Sequence, residues 1–169
     1  AGYVRCTSAE EALAVLEGAK QKNKVIVFNG PGIDRLTNDL CMPSTVHYVY
    51  DTYALANVTA SAITQRGGKD WFFLTADYAF GNSLQEEASK VVNANGGKVL
   101  GAAKHPIAAT DFASFMMTAQ QSKAQIIGLA NAGADIAPIW LMMKVRRDCS
   151  QDFMADGSVA GTPLATSVW

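Results

Sequence analysis

The chain has 169 residues, 49% hydrophobic, 17% charged and 9% aromatic, with 14 Lys+Arg against 15 Asp+Glu for a formal net charge of -1. This length suits one globular domain or part of a larger one, and a near-neutral charge with no basic stripe argues against nucleic acid as a partner, since that affinity is built largely by neutralising phosphates. No stretch approaches the ~20 apolar residues of a membrane span, and Ala1-Gly2-Tyr3-Val4-Arg5-Cys6 lacks the basic-then-apolar layout of a secretion signal, so the compartment stays open on this count.

Ser8-Ala9-Glu10-Glu11 has the S-x-x-E form of a capping box, and Ala12, Leu13, Val15, Leu16 and Ala19 follow at helical spacing, predicting a helix over 8–22. Val25-Ile26-Val27-Phe28 reads as a strand, broken at once by Asn29-Gly30-Pro31-Gly32, a turn able to expose backbone N–H groups. Val46-His47-Tyr48-Val49-Tyr50 predicts a short strand, and Asp51 stands where it can cap a helix running from Tyr53 to the stop at Gly67-Gly68. The unit then recurs. Trp71-Phe72-Phe73-Leu74-Thr75 reads as strand, 80–95 as helix, Gly96-Gly97 as stop and Lys98-Val99-Leu100-Gly101-Ala102 as strand. Thr110 or Asp111 is expected to cap a helix over 112–122, with a buried strand over 124–129 after it. From Trp140 the pattern degrades: Met142-Met143-Lys144-Val145-Arg146-Arg147 could finish a helix, and 149–169 is polar, Gly-containing and without a clear period. Solid apolar strands alternating with amphipathic helices indicate an α/β fold with a parallel sheet covered by helices on both faces. Ligands of such sheets sit beyond the carboxyl ends of the strands, which directs attention to loops 29–37, 76–82 and 130–135.

The chemistry available in those loops is limited. Cys6, Cys41 and Cys149 stand far apart with no C-x-x-C pair, so a zinc site has nothing to start from, and three plain thiols or one disulfide with a free thiol are both open. Asn29-Gly30-Pro31-Gly32 lacks both phosphate-loop spacings, and a turn that cradles a carboxylate on its N–H groups stands beside a plain turn as its reading. His47 and His105 have no nucleophile and orienting group beside them in sequence, and both read as structural or surface histidines. With no H-E-x-x-H, no G-x-S-x-G and no carboxylate cluster at metal spacing, neither an enzyme nor a metal or cofactor is expected. Asp77-Tyr78-Ala79-Phe80-Gly81 puts an aromatic and a carboxylate at a strand-to-helix junction, as a ligand platform or as a hydrophobic staple and cap.

Taken in order, these stretches resemble the type I periplasmic solute-binding proteins of the branched-chain amino acid transporter class. The resemblance is carried by Lys22-Asn23-Lys24-Val25-Ile26-Val27-Phe28-Asn29-Gly30 with Leu36-Thr37, by Thr45-Val46-His47-Tyr48 and by Trp71 through Gly81. His105-Pro106, Asp111-Phe112-Ala113-Ser114-Phe115 and Gly128-Leu129-Ala130-Asn131-Ala132-Gly133 extend it over about three-quarters of the chain. It implies a flavodoxin-like lobe of a two-lobed extracytoplasmic receptor that closes on an amino acid, amide or aromatic carboxylate and presents it to an ABC permease without chemistry. The ligand would be lined by Gly30, Pro31, Gly32, Asp77, Tyr78, Phe80, Asn131 and Ala132. At the place where the family holds the ligand carboxylate with a Ser or Thr hydroxyl, this chain reads Gly32-Ile33, and Phe80 stands where a Tyr is frequent.

Full members are much longer, so the resemblance implies a chain that is incomplete relative to the family. Residues 1–47 correspond to a remnant of the first lobe, 48–139 to the second lobe and 140–169 to an atypical tail. Apolar strands built to face a missing lobe would be open to dimerisation. A stand-alone flavodoxin-like sensor or interaction module is the competing reading.

Overall fold

The computed structural model describes residue 6, residues 8–132 and 135–139, and the backbone of Leu164–Val168. The capping box forms: the Ser8 hydroxyl accepts from the Glu11 N–H at 3.1 Å and the Glu11 carboxylate accepts from the Ser8 N–H at 3.3 Å, opening helix α1, Ala9–Gln21. Strand β1, Ile26–Phe28, pairs in parallel with β2, Thr45–His47, as a separate two-stranded sheet. The second strand ends earlier than its β-branched and aromatic run predicts. Phe28 is the last residue of β1 and its carbonyl takes the Tyr48 N–H at 2.7 Å, so Val49 and Tyr50 find no further strand to pair with. Asp51 then caps helix α2, Thr52–Gln65, accepting from the Ala54 N–H at 2.7 Å.

Strand β3, Asp70–Ala76, is the centre of a larger sheet, with β4, Lys98–His105, and β5, Ile126–Ala130, parallel on its two sides. Helix α3, Ala79–Ala94, connects β3 to β4 and ends before Gly96, whose φ of +75° is left-handed; helix α4, Ala113–Gln121, connects β4 to β5. The alternation of side chains along β3 sorts the core into two layers. Trp71 and Phe73 point to the face shared with α1, α2 and α3, where Leu16, Ala56, Ala60, Leu84, Ala88 and Val92 are buried. Phe72 and Leu74 point to the other face, against Phe112, Met116 and Ala119 at α4 and against Ile127 and Leu129. At ~1.5–3 kcal/mol for each large apolar side chain taken out of water, these layers are the main stabilising force of the fold.

The parallel α/β reading is thus right for β3, β4 and β5. Strand β4 runs three residues past its predicted end and exposes alternate positions, because it is the edge of the sheet with one strand neighbour. Neither Thr110 nor Asp111 is the N-cap of α4: that position is Phe112, drawn inward because its ring is fully buried, while the Asp111 carboxylate accepts from the Ala113 N–H at 2.8 Å. The tail, read as aperiodic, contributes strand β6, Leu164–Val168, antiparallel to β5 from Ile126↔Val168 to Ala130↔Leu164. Pairing with an open strand edge needs only backbone N–H and C=O groups, so hydropathy period does not announce it. The helix end expected at 142–147 and Cys149 lie outside the described residues. Among the described residues, no helix is long and apolar enough to cross a membrane.

Candidate functional site

The loop after β1 is pinned by its carbonyls. The His47 ring donates from Nε2 to the Pro31 carbonyl at 2.7 Å, and the Thr52 N–H donates to the Gly32 carbonyl at 2.8 Å. Gly32 is so closely covered that a Cβ there would stand 3.1 Å from the Tyr50 carbonyl and 3.4 Å from the ring of Phe80. Among the described residues the N–H groups of Gly32 and Ile33 meet no hydrogen-bond acceptor, although both residues are buried. Buried N–H groups without a partner are rare in folded proteins. Gly30 is exposed at the start of the turn, and Pro31 is buried.

Beyond this turn a polar cluster that sequence reasoning missed ties the loop to the helices. The Asp34 N–H donates to the fully buried Thr52 Oγ1 at 3.2 Å, and Asp34 Oδ1 accepts from the Thr52 and Ser83 hydroxyls at 3.1 and 2.8 Å, with the two hydroxyl oxygens 2.7 Å apart. Thr52 is the first residue of α2 and Ser83 lies three positions after Phe80 on α3, one face of that helix. Those offsets from Asp51 and Phe80 are the only sequence signal that could have found them.

At the carboxyl end of β3, Asp77 is exposed, accepts from Asn82 Nδ2 at 3.2 Å and lies 3.8 Å from Lys104 Nζ. Tyr78 occupies the N-cap position of α3 without capping it, and neither it nor Asp77 supplies the cap the sequence allowed. The carboxylate of Glu10, on α1, accepts from the Ala79 N–H at 2.6 Å instead, so this N–H faces a protein carboxylate and not a ligand. Burial first, then Glu10, Asp135 and Tyr50, push the Tyr78 phenol up to about 12, which keeps it a protonated donor. Phe80 is buried, its ring centroid 6.0 Å from that of Tyr78. Gly81 follows, where a Cβ would collide with the Ala76 carbonyl and come within 2.9 Å of that of Ala130, so α3 starts hard against the ends of β3 and β5.

At the end of β5, Asn131 is fully buried and its amide oxygen lies 2.8 Å from Nε2 of His105, itself 1% exposed. His105 is a core histidine, edge-on to Phe112 and Phe115. Ala132 is half-buried against the layer that holds Phe80. The structure therefore brings Gly32 and Phe80 together, with Pro31 next to Gly32 in the same turn, and sets Asp77, Tyr78, Asn131 and Ala132 at the neighbouring strand ends. A recess of about 210 Å³, open to solvent, is lined by Cys6, Ile26, Val27, Phe28, Asn29 and Pro31; it includes one candidate residue and lies off the rest. Cys6 and Cys41 are free thiols, and burial followed by Glu11 pushes the Cys6 thiol up.

A sequence model of the periplasmic binding protein family matches residues 2–144. The chain belongs to that family. A periplasmic binding protein from Burkholderia mallei is 52% identical, with a TM-score of 0.75 over 81% of this chain and 38% of its own. An amino acid ABC transporter substrate-binding protein from Pseudomonas fluorescens is 25% identical, with a TM-score of 0.68 over 83% of this chain and 39% of its own. A solute-binding protein of an ABC transporter from R. palustris, solved with benzoate, shares the fold at 20% identity, with a TM-score of 0.63 over 68% of this chain and 32% of its own. No curated protein matches. The chain thus spans well under half the length of these periplasmic binding proteins.

Proposed function

We propose that this chain is a ligand-binding region of the extracytoplasmic substrate-binding component of an ABC transporter, and that it takes a small amino acid, amide or aromatic carboxylate without chemical change. The observation that carries the reading is Gly32 set against the ring of Phe80, with no acceptor for the N–H groups of Gly32 and Ile33 among the described residues. Two N–H groups at the end of a strand suit one carboxylate, and the ring of Phe80 supplies the apolar wall beside it. The missing Ser or Thr hydroxyl leaves the acceptor held by backbone alone, which removes a donor without adding a clash.

Residues 1–47 serve as part of a first lobe and 48–139 as the second; the separate β1–β2 sheet and the packing of α2 on α3 support this division. An ABC permease is the partner outside the cytoplasm, as membership of the family suggests. The exposed Val25, Val27, Val46 and Tyr48 on and beside the small sheet support a contact there with a second copy, read out as a dimer in sedimentation.

The test is a thermal-shift screen with leucine, benzamide and benzoate, since a ligand that binds only the folded state raises Tm. A dose-dependent rise with one of them, lost in Phe80→Ala, is the expected result. A cooperative melt that none of them moves removes the binding assignment from this chain.

A further inference from the structure

The sequence contains two Asn-Gly pairs, Asn29-Gly30 and Asn95-Gly96, and the fold holds them in opposite ways. Such a pair carries an intrinsic reaction, because with no Cβ on the glycine to shield it, the glycine backbone nitrogen reaches the side-chain carbon Cγ of the Asn before it. At Asn95 the structure occupies both reacting groups. Asn95 Nδ2 donates to the Val91 carbonyl at 2.9 Å, Oδ1 accepts from Gln65 Nε2 at 3.1 Å, and the Gly96 N–H donates to the Asn93 carbonyl at 3.1 Å. At Asn29 it occupies neither. Where β1 and β2 pair, the Ile26 N–H donates to Ser44 and the Tyr48 N–H to Phe28, so the Gly30 N–H is the next donor of β1 beyond the last bond. Among the described residues the Gly30 N–H and the Asn29 side-chain amide have no hydrogen-bond partner. Both residues are exposed, and Asn29 lines the solvent-open recess beside β1, so water has access. Space fixes Gly30 itself: a Cβ there would stand 2.8 Å from the Cys6 carbonyl. The residue that lets the turn pass Cys6 is the one that leaves its nitrogen bare.

We propose that Asn29 is a modification site, a centre of spontaneous deamidation at which water converts the side-chain amide to a carboxylate, and that the fold protects Asn95 from the same reaction. The Gly30 nitrogen gives its proton to solvent and bonds to Cγ of Asn29. The Cγ–Nδ2 bond breaks, Nδ2 takes up a proton and leaves as ammonia, and a five-membered succinimide remains. Water then opens the ring at either carbonyl. One product is aspartate; the other is isoaspartate, in which the main chain runs through the former side chain and is longer by one methylene. Both products add a negative charge at the head of the turn. Phe28 and Pro31 are anchored on either side, by the Tyr48 N–H and by the His47 ring, so isoaspartate also forces extra length between two fixed points.

Peptide mass spectrometry on the native chain, held in mildly alkaline buffer at body temperature, tests the proposal against the same chain unfolded in urea. Tryptic cleavage after Lys24 and Arg35 isolates Asn29, and cleavage after Lys90 and Lys98 isolates Asn95, which fragmentation separates from Asn93. Folding is expected to raise the ratio of the Asn29 rate to the Asn95 rate by about tenfold or more, since opening Asn95 breaks three hydrogen bonds and each is worth several-fold in an equilibrium. A smaller rise overturns the proposal. Isoelectric focusing of the native chain gives a second reading. An acidic band is expected to grow in with time and to be absent from Asn29→Gln, whose longer side chain would have to close a less favourable six-membered ring. A band that grows at the same rate in Asn29→Gln places the reaction elsewhere and overturns the assignment.

Discussion

Strand β3 and its neighbours β4 and β5 are parallel, as are β1 and β2, yet the balance of forces that holds them differs. Every residue of β3 after Asp70 is buried, and its two faces are covered by separate apolar layers. The small sheet leaves Val27 59% and Val46 49% exposed; Phe28, Ile33 and Leu36 join it to the layer of Trp71 and Phe73, and polar contacts add to that attachment: His47 to Pro31, Thr52 to Gly32, and Asp34 to Thr52 and Ser83. Apolar burial is non-directional and tolerates small shifts, whereas a few directed hydrogen bonds hold one geometry and cost more when one partner is lost. The candidate site lies where the two regimes meet.

The largest expected effect is in the first regime. Phe73→Ala removes a fully buried ring that stacks with Trp71 at 5.9 Å, and a loss of ~3–5 kcal/mol in urea unfolding is expected. Gly81→Ala drives a methyl group into the carbonyls that end β3 and β5 and is expected to cost ~1–3 kcal/mol in the same measurement. Thr52→Val keeps the shape and strands the Asp34 N–H, for ~1–3 kcal/mol. Hydrogen exchange sharpens the contrast here: the change should concentrate in 26–52 and spare β3 and β5, and a uniform loss of protection would merge the two regions into one unit.

Glu10→Ala removes the only side chain that caps α3 among the described residues, with ~1 kcal/mol expected in the melt. The last effect is a dependence on pH. The Tyr78 phenol is raised from 10.0 to about 12, so its contribution is present in full below pH 10 and is lost as pH rises through 12, where the folded state gives up the proton the unfolded chain has already released. Stability compared between the native chain and Tyr78→Phe from pH 9 to 12 should converge with rising pH; parallel curves would show an unshifted phenol.

The long elements and their order were legible without any structure, because each carries its own local signal. The capping box at Ser8, the Asp51 cap, the left-handed stop at Gly96 and the solid apolar run at Trp71 depend on neighbours within a few residues. The order of loops also sufficed for the family, since it preserves which loop follows which strand. What misled was set at a distance. The cap of α3 comes from Glu10, 69 positions earlier. The start of α4 follows the burial of Phe112, and β6 reaches β5 by backbone pairing that leaves no periodic trace.

By itself, then, the sequence determined the α/β alternation, the loops that gather at the strand ends and the membership of a family, all of which rest on hydrophobic period and short-range capping. The tertiary structure alone decided that Gly32 stands against Phe80, that Asp34, Thr52 and Ser83 form one cluster, and that His105 meets Asn131. Each of those contacts joins residues at least 18 positions apart, and a polar pair of that kind is fixed only once the apolar layers have brought its two segments into register.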